Sequence, residues 1–380
     1  MPTPAETYAI DQQVGRLTDG TREHACGTTS DQVDVIARAQ ESAACATGVF
    51  AGRRCLVTGG LGFIGSNLAL RLADLGAVVT VIDAQVPRHG GNMHNLVPDG
   101  GQEPDARVAV IEADIADVSN AAVRRAVVGA DFVFNLAGQV SHSDSMTDPL
   151  FDLKVNTASH LAFLELLRQE NADAVVVYTS TRQVFGRPRY LPIDEDHPVA
   201  PVDVNGITKF ATEQLHLLYH EVYGLRSAAV RVTNVFGPRQ RLRDDSQGFL
   251  PIFVRRALQD EALLVFGDGL QERDCLYVDD VVESLLLAAS IIDARGEMFV
   301  IGNDEHLTLR AIAESIVRVA GSGRVEFAPW PADRDAIDIG SYFGDSSKAK
   351  RMLGWQPNTF FDEAIERTIA FYHAGRAWYL

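Results

Sequence analysis

The sequence predicts an α/β fold, a doubly wound parallel sheet followed by a smaller C-terminal α/β lobe. Three observations carry this. From residue 53 onward, short apolar runs alternate with helical ones, and a glycine-rich turn joins the first run to the first helix. Of the 380 residues, 46% are hydrophobic, ample for one large domain or two smaller ones. The apolar runs are nearly continuous rather than alternating, so each is expected to be buried on both faces, as in a parallel sheet covered by helices.

Residues 1–50 stand apart. "MPTPAETYAIDQQVGRLTDGTREHACGTTSD" is polar and without periodicity, and "QVDVIARAQESAACA" has the pattern of one short helix. The segment is expected to be an extension, partly disordered or packed on the surface. "RCLVTG" then reads as a strand and 63–75 as a helix. "VVTVID", "VAVIEAD", "DFVFNLA" and "AVVVYTS" follow as strands, with helical stretches at about 119–128, 150–169 and 204–223 between them. "SAAVRVTNVFG" adds a further strand, completing a Rossmann-type βαβ series over 51–237. After about residue 238 the texture changes. Helices "FLPIFVRRALQ", "VESLLLAASII" and "LRAIAESIVRV" are separated by short strands such as "LLVFG" and "EMFVIG". Residues 238–380 are therefore expected to form mainly a substrate lobe.

The formal charge is −17, from 34 Lys and Arg against 51 Asp and Glu. That balance argues against nucleic acid or an anionic membrane as partner, because both need a basic face. Cys26, Cys45, Cys55 and Cys275 show no CxxC and no metal-ligand spacing, and Cys55 reads as a small buried hydrophobe. There is no apolar run of membrane-spanning length, and residues 1–30 lack the layout of a signal peptide, so a cytoplasmic protein is expected.

"VTGGLGFIGSNLA" places Gly59, Gly62 and Gly65, with Phe63 and Ile64 between them, directly after the first strand and at the opening of the first helix. Glycine there lets the backbone approach a pyrophosphate at the positive helix N-terminus. Asp83 ends the next strand, where a carboxylate accepts hydrogen bonds from the adenosine ribose hydroxyls and repels a 2′-phosphate. NAD is thus expected over NADP, with nearby Arg88 and His89 as the features that weigh the other way.

With "TGGLGFIG", "EADIAD", "NLAGQ", "STRQVFG", "NGITK", "RVTNVFGPRQ" and "GDGLQERDCLYVDDVV" in this order, the chain resembles the extended short-chain dehydrogenase/reductases. More narrowly it is similar to the NAD-dependent nucleotide-sugar epimerase/dehydratase group, with UDP-glucose 4-epimerase as its familiar member. The resemblance covers about 53–375. It implies that Asp114 and Ile115 flank the adenine, and that Leu136, Ala137 and Gly138 lie under the ribose and pyrophosphate. It makes Thr181 the hydroxyl that binds the reacting sugar hydroxyl, and Lys209 the cation that holds the nicotinamide ribose. Arg182, Asn234, Arg239, Arg273 and Asp338 become substrate contacts. Arg241 and Arg243 either join a local positive field there or are solvated. A homodimer through helices around 150–169 and 204–223 is implied as well.

Two departures from the family pattern are informative. Dehydratases of the group carry an acidic pair directly after the Thr, where this chain has Arg182 and Gln183, and decarboxylases keep a Glu at the second place. Neither Arg nor Gln is a general acid near neutral pH, which disfavours both reactions. In "VDVNGITK", Asn205 stands where the family keeps its proton-accepting Tyr. Losing a general base typically costs about 10²- to 10⁴-fold in rate.

Three readings of that departure remain. A water held by Asn205 and Thr181, or Lys209 itself, takes the proton; Tyr178, three residues before Thr181, points to the opposite strand face. Alternatively the site performs another redox step on an activated substrate, or the protein binds NAD and a nucleotide sugar with little turnover. His142 and Ser143, in the loop after the fourth strand, read either as a proton shuttle or as exposed loop residues. The leading expectation is an NAD-dependent nucleotide-sugar epimerase acting through a transient keto-sugar, most directly at C4. Thr181, Asn205 and Lys209 form its centre.

Overall fold

The structure, a computed structural model, describes residues 48–87, 89, 91–244, 248–330 and 339–380. The short helix expected within 32–46, Arg88 and Asp338 lie outside the described residues.

The first half of the chain builds strands β1 (Arg54–Thr58), β2 (Val78–Asp83), β3 (Val108–Glu112), β4 (Phe132–Asn135), β5 (Val175–Thr181) and β6 (Arg226–Val232). Between them run α1 (Phe63–Asp74), α2 (Ala121–Gly129), α3 (His142–Thr147), α4 (Pro149–Leu153), α5 (Ser159–Glu170) and α6 (Val204–Tyr223). The strands pair in parallel in the order β6-β5-β4-β1-β2-β3. The order reverses between β1 and β4, which opens a crevice beyond the carboxyl ends of the strands. Residues alternate between the two faces as the pleat requires. Val57 and Val79 join a cluster with Leu68 and Leu72 of α1, whereas Leu56, Val133 and Val176 join Val123, Phe163 and Leu167 of α2 and α5.

The later chain contributes β7 (Asn234–Phe236), α7 (Phe249–Leu258), β8 (Ala262–Phe266), β9 (Glu272–Tyr277), α8 (Val278–Ser290), β10 (Met298–Ile301), β11 (His306–Thr308), α9 (Leu309–Ala320) and β12 (Arg324–Ala328). It ends with α10 (Ser347–Leu353), α11 (Phe361–Ala374) and α12 (Arg376–Tyr379). Strands β11, β9 and β7 form one small sheet, and β12 with β8 another. Around them, α7, α9 and α11 bury Phe253, Ile312, Ile316 and Ile365 in a second core.

The expected division near 237 is not a boundary of the main sheet. β10, read from sequence as a lobe strand, pairs in parallel with β6 as the seventh strand. Val281 and Leu285 of α8 share the first core with α1. "EMFVIG" was ambiguous because short apolar runs look alike in either sheet.

Leu353 and Trp355 are buried, as expected, with Trp355 Nε1 donating to Asp280 O at 2.8 Å. Phe50, at the end of the N-terminal extension, is fully buried against Phe132, ring centroids 4.9 Å apart. Cys55 and Cys275 are buried free thiols.

Candidate active site

The carboxyl ends of β1, β2, β4, β5 and β6 surround a cavity of about 340 Å³. Its nucleotide end is built from backbone. No side chain caps the N-terminus of α1, so its first N–H groups are left to an anion. A Cβ on Gly65 would stand 2.3 Å from Gly59 O, so only glycine lets the helix close onto the turn. The Asp83 carboxylate fastens the rim, Oδ2 accepting from Leu61 N at 3.0 Å and Oδ1 from Gln85 N at 2.8 Å. Burial pushes its carboxyl upward, and these two N–H donors oppose the shift. Gly59, Gly62, Phe63, Ile64, Gly65, Asp83, Asp114, Ile115, Leu136, Ala137, Gly138 and Lys209 all line this one cavity. Each residue expected to hold the cofactor is therefore brought to the same place.

Beneath the loop at 136–138 lies a network that sequence reasoning missed. Thr58 Oγ1 donates to Asn135 Oδ1 at 2.7 Å and accepts from Leu136 N and Ala137 N. Asn135 Nδ2 donates both its protons, to His160 Nδ1 at 2.9 Å and His216 Nε2 at 3.0 Å. The other ring nitrogens donate to Ala137 O and Thr212 O. Both imidazoles are therefore neutral with fixed tautomers. Burial pushes His216 down to about 4 and His160 well below its usual value.

The catalytic end is set by α6 and the turn after β5. Thr181, Asn205 and Lys209 line the cavity together. The Lys209 ammonium lies where a Cβ on Gly138 would meet it at 2.8 Å, and 5.6 Å from the Tyr178 ring. Burial lowers Lys209 to about 8, with the Asp152 charge acting the other way.

Asn205 is buried, and its amide protons are committed inward. Nδ2 donates to Gln139 O at 2.9 Å, to Gln139 Oε1 at 3.3 Å and to Asp152 Oδ2 at 3.0 Å. Asp152 also accepts from Asn156 Nδ2 and Thr208 Oγ1, so one fully buried carboxylate ties α4 to the first turns of α6. Only the Asn205 carbonyl remains to meet a ligand. Tyr178 is stacked on His216 at 4.5 Å and does not line the cavity, in keeping with the strand-face argument.

His142 is held from two sides. Nδ1 contacts Asp203 Oδ2, and Nε2 lies 2.6 Å from Gln183 Nε2. Asp203 caps α6 through Oδ1, which accepts from Gly206 N at 2.7 Å. Burial raises the Asp203 carboxyl, but His142, Gly206 N–H and Arg182 outweigh it and hold it below the usual range. An Asp just before a helix is a readable cap signal; its second oxygen's partner is not, because His142 is 61 residues away.

The expected substrate contacts divide. Arg182 and Asn234 line the cavity and meet each other, Nε donating to Oδ1 at 3.2 Å. Arg241 also lines it, paired with Asp244. Arg239 does not. Its guanidinium donates to Asn95 O, Asn67 Oδ1, Val97 O and Asp99, bracing the loop after β2. Arg273 likewise lies outside the lining, with Nη1 donating to Glu272 O and Gly340 O. Both assignments rested on a match of motif; the Arg239 guanidinium is engaged by the loop after β2, and Arg273 Nη1 by two carbonyls that no motif reveals.

Fold and site together define a dinucleotide-dependent enzyme of the doubly wound α/β class. The chain belongs to the NAD dependent epimerase/dehydratase family, whose pattern matches residues 55–302. It is 31% identical over 320 residues to a UDP-glucose 4-epimerase of Mycolicibacterium smegmatis, covering 84% of this chain and 98% of that relative. Among solved structures it resembles UDP-glucose 4-epimerase of Thermotoga maritima with UDP-glucose, at TM-score 0.76 and 29% identity over 85% of this chain and 99% of that one. It also resembles a dTDP-glucose 4,6-dehydratase of Streptomyces venezuelae with NAD bound, at TM-score 0.75 and 27% identity over 86% and 98%. The family is one of nucleotide-sugar enzymes, and the cofactor is NAD.

Proposed function

We propose that the protein is a nucleotide-sugar 4-epimerase that works through a transient 4-keto-sugar. One observation supports this over dehydration. Among the described residues lining the cavity, Asp83 and Asp114 are the only carboxylates, and both belong to the adenosine end. Beside Thr181 stand Arg182 and Gln183, which cannot protonate a departing C6 hydroxyl.

Bound NAD⁺ supplies the hydride acceptor and later the donor. The chain does the rest. Thr181 orients the reacting hydroxyl, the Asn205 carbonyl accepts a hydrogen bond from a water beside it, and Lys209 holds the nicotinamide ribose. Arg182 and Asn234 lie where a diphosphate or sugar would meet donors. UDP-glucose is the substrate favoured by the relatives. Leu150 (77% exposed), Leu153, Leu161, Leu218 and Val222 on α4, α5 and α6 support a homodimer through those helices.

Proton NMR of the NAD-loaded protein with UDP- and dTDP-hexoses in D₂O tests the reading. A new anomeric signal from the C4 epimer, with the migrating hydrogen unlabelled, supports it. A 4-keto-6-deoxy product labelled by solvent would replace it with dehydration. Sedimentation of the purified protein tests the dimer.

A further inference from the structure

We propose that His142, held by Asp203, is the proton acceptor that stands in for the family's missing tyrosine; the proposal rests on the redox epimerisation above. The imidazole opens α3 and lines the same cavity as Thr181, Asn205 and Lys209. Asp203 is nearly fully buried and its Oδ1 is committed to Gly206 N, so its Oδ2 is fixed in place. An ionised carboxylate only accepts, so the proton shared with it belongs to Nδ1 of His142. The Nε2 lone pair is then the ring's basic site, and in the resting arrangement it accepts from the Gln183 amide, which must turn aside before a sugar hydroxyl takes its place. This is the arrangement by which a buried aspartate sets a histidine's tautomer for proton transfer.

Gln183 completes the device. In one orientation its amide donates to the bare Nε2 at 2.6 Å, while Oε1 is buried without a hydrogen-bond partner. Turned over, the same amide accepts from the Nε2–H of an imidazolium. One side chain therefore serves both protonation states of the ring without changing its own charge. Asp203, capping α6, contacts the ring; Arg182 from the turn after β5 acts on that carboxylate, Asp144 shares the first turn of α3, and Lys209 lines the same cavity. An imidazole needs no strong field to work near neutral pH, whereas a phenol does. The near-neutral poise of Lys209 suits a site without a tyrosine to activate.

In the forward half-reaction the sugar hydroxyl breaks its O–H bond and the proton goes to Nε2, as the sugar carbon gives its hydride to NAD⁺. In the return, hydride comes back to the opposite face of the carbonyl carbon and Nε2 returns the proton to oxygen. Enzyme and cofactor end unchanged.

Histidine-selective ¹⁵N NMR of the NAD-loaded wild type tests the arrangement without turnover. The Nδ1–H tautomer is expected at His142, with an Nε2 shift on adding UDP-glucose. Asp203→Asn keeps the α6 cap through Oδ1 but is expected to lose that tautomer. In turnover with UDP-glucose, His142→Ala is expected to lower kcat by about 10²- to 10⁴-fold with NAD content unchanged, and added imidazole to restore part of it. An Nε2–H tautomer in the wild type, or a kcat for His142→Ala within about threefold of wild type, overturns the proposal. If the wild type makes no epimer yet shows the Nδ1–H tautomer and the UDP-glucose shift, the epimerase reading fails and the pair stands.

Discussion

Asn205 donates to Asp152 across 3.0 Å, and both side chains are buried. The residue at the family's tyrosine position is thus the surface of a buried polar knot with Gln139, Asn156 and Thr208. Asn205→Ala strands the partners of its amide, at a cost of about 1–3 kcal/mol per unsatisfied group. Asn205→Asp sets a second carboxylate against Asp152, where two charges cannot both persist. Thermal unfolding at neutral pH is expected to rank wild type above Ala above Asp. The gap between Ala and Asp should narrow in acid, where one carboxyl takes up the shared proton.

Lys209 is poised at about 8 by burial, so its ammonium is lost as pH rises through that value. NAD-loaded turnover is expected to fall on the alkaline side of pH 8. Asp152→Asn removes the one charge that favours the ammonium, so the alkaline limb should move to lower pH. A pH profile of kcat/KM for the two proteins reads this directly. An unmoved limb would mean that another group governs it.

His216 falls from 6.5 to about 4 in the fold. The unfolded chain therefore binds more protons between those values, and stability is lost as pH drops from 6.5 toward 4. The whole window is worth about 3 kcal/mol. Denaturant melts at neutral and mildly acid pH should show that loss, and His216→Gln should flatten the slope by close to one proton.

At the nucleotide end, Gly65→Ala drives a Cβ to 2.3 Å from Gly59 O and must push the turn out of shape. The purified variant is expected to carry little NAD by absorbance after denaturation. Asp83→Asn keeps an acceptor for the rim but removes the charge that repels a 2′-phosphate. Calorimetry should show the preference for NAD over NADP shrinking by roughly tenfold or more.

The sheet and the nucleotide end were legible because their signals are local. Apolar runs, a glycine turn and an Asp at a strand end sit within a few dozen residues, and each has one dominant physical reading. The site's wiring was not. Asp152 lies inside a helix, 53 residues from Asn205, and no spacing announces the bond. Asn135, His160 and His216 come from three elements and converge only in the fold. Arg239 shows the opposite failure, a cation in the right motif whose donors turn to two backbone carbonyls, Asn67 and Asp99 instead.

The seventh strand has a consequence for how this chain is made. β6 lies beside β5 on one edge, and its other edge is covered only by β10, which is encoded well downstream. During synthesis the nascent sheet therefore carries a bare, hydrogen-bonding edge until Ile301 has cleared the ribosome. Expressing 51–237 alone would freeze that interval permanently, and the fragment should pair with copies of itself and precipitate rather than yield a free nucleotide-binding module.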